Sequence, residues 1–491
     1  MKQTILRLLL LVAPLVGIFS ACTDDESFST SSANRLSFSI DTVSLDTTFS
    51  RVPTTTRTFW VYNHSGDGIR CSHVRLRNGN QTGFRVNIDG MYLGQTSGYQ
   101  VSDVEIRKDD SIRVFVELTS TDTNADTPQL LEDDLVFTLE SGVEQRVNLR
   151  AWSWDAELIN DLNVSRDTLI QSVKPIVIKG GIEVDSAATL TIGAGTTLYF
   201  ANQAGIDVYG TLRVIGTPED NVTLRGDRID RMFDYLPYDR VSGQWQGIRF
   251  HTSSYENELN YMDLHSAYNG IVCDSSTTDR MKFTLYNSTV HNCQGYGLYS
   301  VGCQIELCNT QITNAALDCV SITGGSVVMR HCTIAQFFPF DLGTPVGVAL
   351  RFGDQYKGSI NIPLIRFDII NTIITGYADD ELMGNFANLE TAVYHFDHCL
   401  LRTEKPNPLD EQRYSGVIWE NIADTTTYGR KNFVKIDYDK QDFDFHLDSL
   451  SHAIDSAAVL QGSWGTVDRD GKSRDSRPDI GCYEYQKLDE K

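Results

Sequence analysis

Basic residues are scarce in this sequence of 491 residues. Lysine and arginine together number 42, against 65 aspartate and glutamate residues, which gives a formal net charge of −23 at pH 7. A surface of this sign repels the phosphates of nucleic acids and the anionic headgroups of lipids, so neither class of ligand is expected as a partner. It also disfavours a highly anionic glycan, unless basic residues gather in one local cleft.

Several motifs of enzymes and cofactor-binding proteins are missing. The sequence has no phosphate-binding loop, no dinucleotide fingerprint and no nucleophile elbow. Its ten cysteines include no Cys-x-x-Cys pair, which leaves a zinc knuckle or a thioredoxin-type site unsupported. His395 and His398 lack a third ligand. We therefore expect no cofactor and no metal, and mostly buried, unpaired thiols, since cysteines among apolar residues serve as small hydrophobes.

Residues 1–21 have the pattern of an export signal. Lys2 and Arg7 are followed by an apolar stretch from Leu8 to Phe19, too short to span a bilayer stably. Phe19-Ser20-Ala21-Cys22 resembles a bacterial lipobox, which implies cleavage before Cys22 and lipidation of its thiol. The alternative is an ordinary signal cleaved near Ala21. Removal of the two basic residues takes the net charge from −23 to about −25.

Residues 22–35 are interpreted as a polar tether. Thr23-Asp24-Asp25-Glu26 resembles the tag with which certain Gram-negative bacteria export lipoproteins to the outer face of the outer membrane. The resemblance implies an outer-membrane lipoprotein exposed at the cell surface. A tether that is simply solvated has the same composition, so the alternative stays open.

Residues 36–152 contain short alternating strands separated by turns. Thr58–Tyr62 alternates before a turn cluster, and Phe84–Ile88 is followed by Asp89-Gly90, a hairpin sequence. The absence of a helical period predicts a β-sandwich. The pattern resembles the immunoglobulin-like domains that precede the working domain in many bacterial surface proteins.

Residues 153–410 contain a repeat. Asn287-Ser288-Thr289-Val290, Asn309-Thr310-Gln311-Ile312 and His331-Cys332-Thr333-Ile334 are each 22 residues apart, and Asn371-Thr372-Ile373-Ile374 follows after an insertion. An apolar residue recurring at this period beside a corner asparagine predicts a β-solenoid whose rungs bury their apolar faces by stacking. Asparagine at the corner tolerates left-handed backbone and can bond to its equivalent in the next rung.

These motifs resemble the right-handed parallel β-helix of pectate lyases, polygalacturonases and many surface proteins. Residues 411–491 resemble the C-terminal cap of β-helix surface proteins that vary in their anchor, through segments such as Asp468-Arg469-Asp470-Gly471 and Pro478–Tyr485. The expected class is therefore all-β, with an immunoglobulin-like sandwich followed by a β-helix. A shared fold carries no reaction with it.

One segment interrupts the strand pattern and is the candidate ligand site. Residues 226–245 are rich in arginine, aspartate and aromatic residues, which together grip sugars by stacking and by forked hydrogen bonds. The alternative is an Arg–Asp loop that satisfies its own charges. The candidate ligand-binding residues are Arg228, Asp234, Tyr235, Tyr238, Asp239, Arg240 and Trp245.

Three functions follow as hypotheses. The favoured one is a surface lipoprotein that binds polysaccharide through the flank of the β-helix. The second is a lyase or hydrolase acting on a uronate-containing glycan; the acidic motifs of polygalacturonases are missing, and Arg351, Lys357 and Arg366 are the basic residues a lyase could use. The third is a structural or adhesive protein. The sequence assigns neither catalytic residues nor an oligomeric state.

Overall fold

The computed structural model describes residues 27–339, 346–358, 360–462 and 465–486. The proposed signal peptide and Cys22 lie outside these residues. The chain divides into two compact units between Asp155 and Ala156. No helix in the described part of the chain is both long and apolar enough to cross a membrane.

The first unit is a sandwich of two five-stranded sheets around one apolar core. The first sheet contains, in spatial order, Leu36–Phe38, Arg57–Asn63, Ser111–Leu118, Phe84–Ile88 and Met91–Tyr92. The second contains Thr42–Phe49, Glu144–Trp154, Gln129–Leu139, Ile69–Leu76 and Gln100–Ile106. Asp89 and Gly90 form the two-residue hairpin turn predicted from the sequence, with φ angles of 47° and 85°.

The second unit is a parallel β-helix with three walls, which confirms the predicted fold class. Glu157–Val164 and Ile176–Val184 are long strands that contribute to both wall A and wall B. Wall A continues through Thr197–Phe200, Val222–Gly226, Met262–His265, Thr289–Cys293, Gln311–Ala315, Thr333–Gln336, Ile373–Gly376, Leu400–Leu401 and Ile418–Trp419. Wall B continues through Ile206–Val208, Ile248–Phe250, Ile271–Cys273, Leu298–Val301, Val320–Thr323, Leu350–Gly353 and Leu382–Asn385.

Wall C is a separate ten-stranded parallel sheet. Its strands are Thr168–Ile170, Thr189–Gly193, Thr211–Ile215, Asn257–Asn260, Met281–Tyr286, Gln304–Cys308, Gly325–Arg330, Leu364–Ile370, His395–Asp397 and Tyr414–Ser415. Three short two-stranded ribbons project from or cover the walls: Arg231–Phe233 with Leu236–Pro237, Gln355–Tyr356 with Ile360–Asn361, and Phe433–Asp437 with Asp442–Leu447. The described 3-10 helices are Gln95–Ser97, Tyr238–Arg240, Leu389–Thr391 and Arg430–Asn432.

The repeat predicted from the sequence corresponds to the pairing of neighbouring strands in wall A. Val290 pairs with Ile312, Ile312 with Ile334 and Ile334 with Ile374, and all four side chains are fully buried. Because side chains alternate across a strand, this column fills the interior while its neighbours face outward. The nine described cysteines are buried free thiols, as the sequence predicts.

The corner asparagines also behave as predicted. Asn287, Asn309, His331 and Asn371 all have left-handed backbone, with φ between 48° and 53°. The Asn309 amide donates to the Asn287 side chain at 3.1 Å, and the amide of Asn371 lies 2.9 Å from Nε2 of His331. At two steps of this corner, from Asn287 to Asn309 and from His331 to Asn371, a side-chain hydrogen bond thus links successive rungs.

The C-terminal segment packs on the outward face of wall A. Phe433, Phe445, Ile480 and other cap residues form an apolar cluster with Ala335, Ile373 and Leu400 of the wall. These wall residues alternate with the interior column, so the outward face is apolar where the cap covers it. In earlier rungs the same face is polar.

Candidate functional site

The polar part of wall A carries an aspartate and two histidines on its outward face. Met262 and Leu264 point into the core and are fully buried. Because side chains alternate across a strand, those of Asp263 and His265 point outward. In the next rung His291 pairs in register with His265. Parallel stacking in register therefore brings residues 26 positions apart side by side.

The three side chains are in direct contact. Oδ1 of Asp263 lies 2.9 Å from Nδ1 of His265 and 3.2 Å from Nε2 of His291. The two imidazole rings are stacked with centroids 4.9 Å apart. Single ligand atoms of the three residues all lie within 4.8 Å of one another.

The loop 226–245 adds a second carboxylate. It folds back so that Asp239, in the 3-10 helix Tyr238–Arg240, places Oδ1 2.8 Å from Nε2 of His265 and 2.6 Å from Nη1 of Arg225. The hydroxyl of Ser266 donates to the Asp239 carbonyl at 2.6 Å. His265 is consequently held between two carboxylates.

Charge coupling shifts the pKa values of this network. Burial opposes the charge on Asp263, but the neighbouring His265 and His291 outweigh it and hold the pKa of that carboxyl well below its ordinary value. Burial likewise opposes protonation of His265, but Asp263 and Asp239 outweigh it and raise its pKa to about 9. In the absence of any other cation, His265 is thus an imidazolium at neutral pH.

The cap presents a similar arrangement facing the wall. Nδ1 of His446 lies 2.6 Å from Asp444 and its Nε2 lies 2.9 Å from Asp470. The His446 ring also packs on Tyr483, with centroids 4.0 Å apart. Burial lowers the pKa of His446, but the two carboxylates outweigh it and raise this pKa to about 9.

A groove of about 420 Å³ lies between the wall, the loop and the cap. Its lining is mostly polar side chains capable of hydrogen bonding, with three aromatic rings on the cap side. The lining residues are Asp239, Arg240, Asp263, Thr289, His291, Asn292, Gln311, Asn314, Gln441, Asp442, Phe443, Asp444, Phe445, His446, Arg469, Asp470 and Tyr483. We take this groove as the candidate functional site.

The structure brings two of the predicted ligand residues into the groove. They are Asp239 and Arg240, and Arg240 also connects the loop to the cap: Nη2 lies 3.1 Å from Asp442 and Nη1 donates to the Lys440 carbonyl at 3.0 Å. Sequence reasoning did not anticipate that the cap would form the facing side.

The other polar candidates of the loop lie outside the groove lining. Arg228 is paired with Asp230 by two hydrogen bonds of 2.7 and 2.6 Å, and its guanidinium lies 3.7 Å from the ring centroid of Tyr238. This local pairing agrees with the alternative of a loop that satisfies its own charges. Asp234 and Tyr235 lie at the exposed tip of the ribbon, where Tyr235 stacks on Phe233.

The prediction that Trp245 lines the ligand site is wrong. Its side chain is fully buried, stacks on Phe200 with centroids 4.4 Å apart, and donates from Nε1 to the His265 carbonyl at 2.8 Å. Trp245 lies after the end of the loop and already belongs to a rung of the β-helix. It forms a parallel bridge with Ala267 of the following rung. Core packing therefore accounts for it.

The basic residues considered for a lyase are not gathered in one place. Arg351 lies on wall B, where Nε lies 2.7 Å from Asp318, and Arg366 lies on wall C, where Nε lies 2.5 Å from Asp368. The ammonium of Lys357 lies over the ring of Tyr356. Because each has a partner of its own and Arg351 and Arg366 lie on different walls, the structure gives no support to these residues as a joint lyase site.

The Asp–His–His set was missed although the repeat pointed to it. Extending the unit that ends in Val290 by one residue reaches His291, and the corresponding position in the preceding rung is His265. The sequence signal for the site is therefore that outward positions of two adjacent wall A strands carry two histidines and an aspartate. The expectation of no metal site was based on the missing Cys-x-x-Cys pair and on His395 and His398, and it did not consider the outward column of wall A; His398 bonds to Asp397 at 2.8 Å.

Comparisons with known proteins give only distant likenesses. No family model and no curated protein matches the sequence. Among solved structures, pectate lyase Pel9A is 9% identical with a TM-score of 0.33, covering 68% of this chain and 88% of that chain. The PapD-like domain 7 of human CEP192 is 12% identical with a TM-score of 0.17, covering 28% of this chain and 95% of that chain.

A family 123 glycoside hydrolase from Clostridium perfringens is 9% identical with a TM-score of 0.17, covering 24% of this chain. This chain spans only 26% of the length of that hydrolase. Likenesses of this size carry no argument about function, and the assignment of the β-helix rests on the strand pairing described above.

Proposed function

We propose that this protein binds an uncharged polysaccharide in the groove between wall A and the C-terminal cap. The observation that carries the proposal is the groove itself, about 420 Å³ in volume and lined by carboxylate, amide, guanidinium and imidazole groups. This volume falls within the range of about 300–1,000 Å³ that is usual for small-molecule sites.

The polar groups of the lining suit hydroxyl-rich ligands. Carboxylates such as Asp442 and Asp444 accept hydrogen bonds, and Arg240 donates several in a fixed plane. Phe443 adds an apolar ring on the cap side, against which the C–H face of a sugar ring can pack. Five aspartates in one groove, in a chain of net charge −23, favour an uncharged glycan over a polyuronate.

The cap side of the groove supports binding of the polysaccharide without cleavage. Glycoside hydrolysis needs a carboxylic acid that stays protonated near neutral pH. His446 hydrogen bonds to Asp444 and to Asp470, and it holds the pKa of each carboxyl below its ordinary value. These two groups are therefore ionised acceptors rather than proton donors.

Replacement of Arg240 by alanine tests the groove as the binding site. Affinity electrophoresis in gels containing xylan, mannan or arabinogalactan, with polygalacturonate as the acidic comparison, identifies a retarding polysaccharide. We expect Arg240→Ala to weaken that binding at least tenfold, about 1.4 kcal/mol, because it removes both a lining donor and the link to Asp442.

Arg231→Ala is the matched control. Arg231 lies in the same loop and its Nη1 donates to the Asp234 carbonyl at 2.7 Å, away from the groove lining. Equal weakening by both substitutions, or no retardation by any of these polysaccharides, would refute groove binding. Release of reducing ends or of unsaturated products would instead show the enzymatic alternative.

We also propose that Cys22 carries the lipid that anchors the protein to the outer membrane, with the bulk of the chain at the cell surface. Support comes from the lipobox-like sequence Phe19-Ser20-Ala21-Cys22 and from the acidic residues after it. Cells fed a radiolabelled fatty acid should label the wild-type chain, and Cys22→Ala should abolish the label. Full labelling of the variant would end the claim.

A further inference from the structure

We infer that Asp263, His265 and His291 form a binding site for one divalent transition-metal ion, such as Zn²⁺, on the outward face of wall A. The inference stands on the geometry of these three side chains alone. It does not depend on whether a polysaccharide binds in the adjoining groove.

Two of the three distances between ligand atoms already fit one ion. Metal–ligand bonds of about 2.0–2.1 Å place neighbouring ligand atoms about 2.9 Å apart in octahedral and about 3.3 Å apart in tetrahedral coordination. Oδ1 of Asp263 lies 2.9 Å from Nδ1 of His265 and 3.2 Å from Nε2 of His291. All three ligand atoms lie within 4.8 Å of one another, so small side-chain rotations bring them around a common centre.

Asp239 gives His265 the orientation of a metal ligand. Its Oδ1 lies 2.8 Å from Nε2 of His265 and is itself fixed by Arg225 at 2.6 Å. Because this carboxylate keeps the proton on Nε2, Nδ1 is the nitrogen that can give up its proton and offer its lone pair to an ion beside Asp263. Metal-binding histidines usually donate their other ring N–H to such a carboxylate, which fixes the tautomer. Asp239 is thus a positioning residue. An ion would displace the Nδ1 proton of His265 to solvent.

The wall makes the site rigid on one side and leaves it open on the other. His265 and His291 are register partners in adjacent strands, and His265 is only 7% exposed. Asp263 and His291 are 32% and 27% exposed and line the groove. An ion held by three protein ligands therefore has at least one coordination position facing the groove, where water or a ligand hydroxyl can bind.

The donor types select the class of ion. Two imidazole nitrogens and one carboxylate suit Zn²⁺ and its transition-metal neighbours. Ca²⁺ and Mg²⁺ prefer sets of oxygen ligands, which this site does not provide. We therefore expect Zn²⁺ and Co²⁺ to bind and Ca²⁺ to give no comparable signal.

Metal titration of the full chain, without a polyhistidine tag, tests the inference. After chelator treatment, calorimetric titration with Zn²⁺ should show one site per chain, and Co²⁺ should give visible absorption bands of nitrogen and oxygen coordination. His291→Ala should weaken Zn²⁺ binding at least tenfold. Asp263→Asn, which alters no ring packing, should do the same and decides the matter if the first variant fails to fold by circular dichroism.

His251→Ala is the matched control for loss of an imidazole between carboxylates. His251 lies 2.8 Å from Asp207 and 3.3 Å from Asp274. In the described chain no second histidine contacts these two carboxylates, so the loss of His251 should leave Zn²⁺ binding unchanged. Absence of a saturable Zn²⁺ site in the wild type would overturn the inference. So would equal affinity in His291→Ala and Asp263→Asn, or stoichiometric Ca²⁺ binding without Zn²⁺ binding.

Discussion

Replacement of Ile312 by aspartate should unfold the β-helix or lower its free energy of unfolding by more than about 4 kcal/mol. Ile312 is fully buried and lies in the interior column between Val290 and Ile334 of the adjacent rungs. A carboxylate at this position would lose its water without gaining a hydrogen-bonding partner. Differential scanning calorimetry of the full chain measures the effect.

Leu317→Asp is the control, since it introduces the same charge five residues later. Leu317 is 41% exposed, so its carboxylate would remain hydrated and the melting temperature of the β-helix should change little. If Ile312→Asp melted like the parent, the interior register would be wrong. Because the chain divides into two compact units, we expect the sandwich to unfold in a transition of its own, which then serves as an internal reference in each scan.

The fold was predictable because its repeats are encoded locally. The 22-residue spacing of Val290, Ile312 and Ile334 reflects the length of one rung, and stacking requires an apolar residue at that position each time. The corner asparagines were predictable for the same reason, since left-handed backbone restricts the residue type in every rung. Each rung repeats the same physical requirement, so the sequence repeats as well.

The candidate site was less predictable because it depends on contacts between distant segments. Asp239 comes from a loop inserted before the rung of His265, and His446 and Asp470 come from the cap, more than 150 residues later. Composition identified the loop 226–245 as unusual, but it could not indicate which residues would face the wall. The cap folds back on wall A through Phe445 and Ile480, a docking for which the repeat gives no signal.

Trp245 illustrates how composition can mislead. Beside the loop it resembles a sugar-stacking residue, and its immediate neighbours are the polar residues Gln244 and Gln246. Its position just before the strand Ile248–Phe250 is the better guide, since it bridges to Ala267 in the next rung and its ring stacks on Phe200 in the core. The indole is thus buried because Trp245 occupies a paired position in a rung, and the composition of the neighbouring loop does not decide its role.

Trp245→Ala should therefore act on stability. Truncation of a fully buried tryptophan removes its stack on Phe200 and the hydrogen bond from Nε1 to the His265 carbonyl, and leaves a cavity behind. We expect a loss of about 3–5 kcal/mol in the free energy of unfolding of the β-helix. Calorimetry is the suitable measurement, because the substitution also removes an intrinsic fluorophore.

Tyr235→Ala provides the comparison, since Tyr235 is 54% exposed at the tip of the ribbon and its loss should leave the melting temperature nearly unchanged. An unchanged melting temperature in Trp245→Ala would contradict the core placement of the indole. The substitution would also affect the site. The carbonyl that accepts the hydrogen bond from Trp245 belongs to His265, whose ring is held between Asp263 and Asp239. Binding measured for Trp245→Ala should accordingly be compared well below its own transition, where the fraction of folded protein is the same as in the parent.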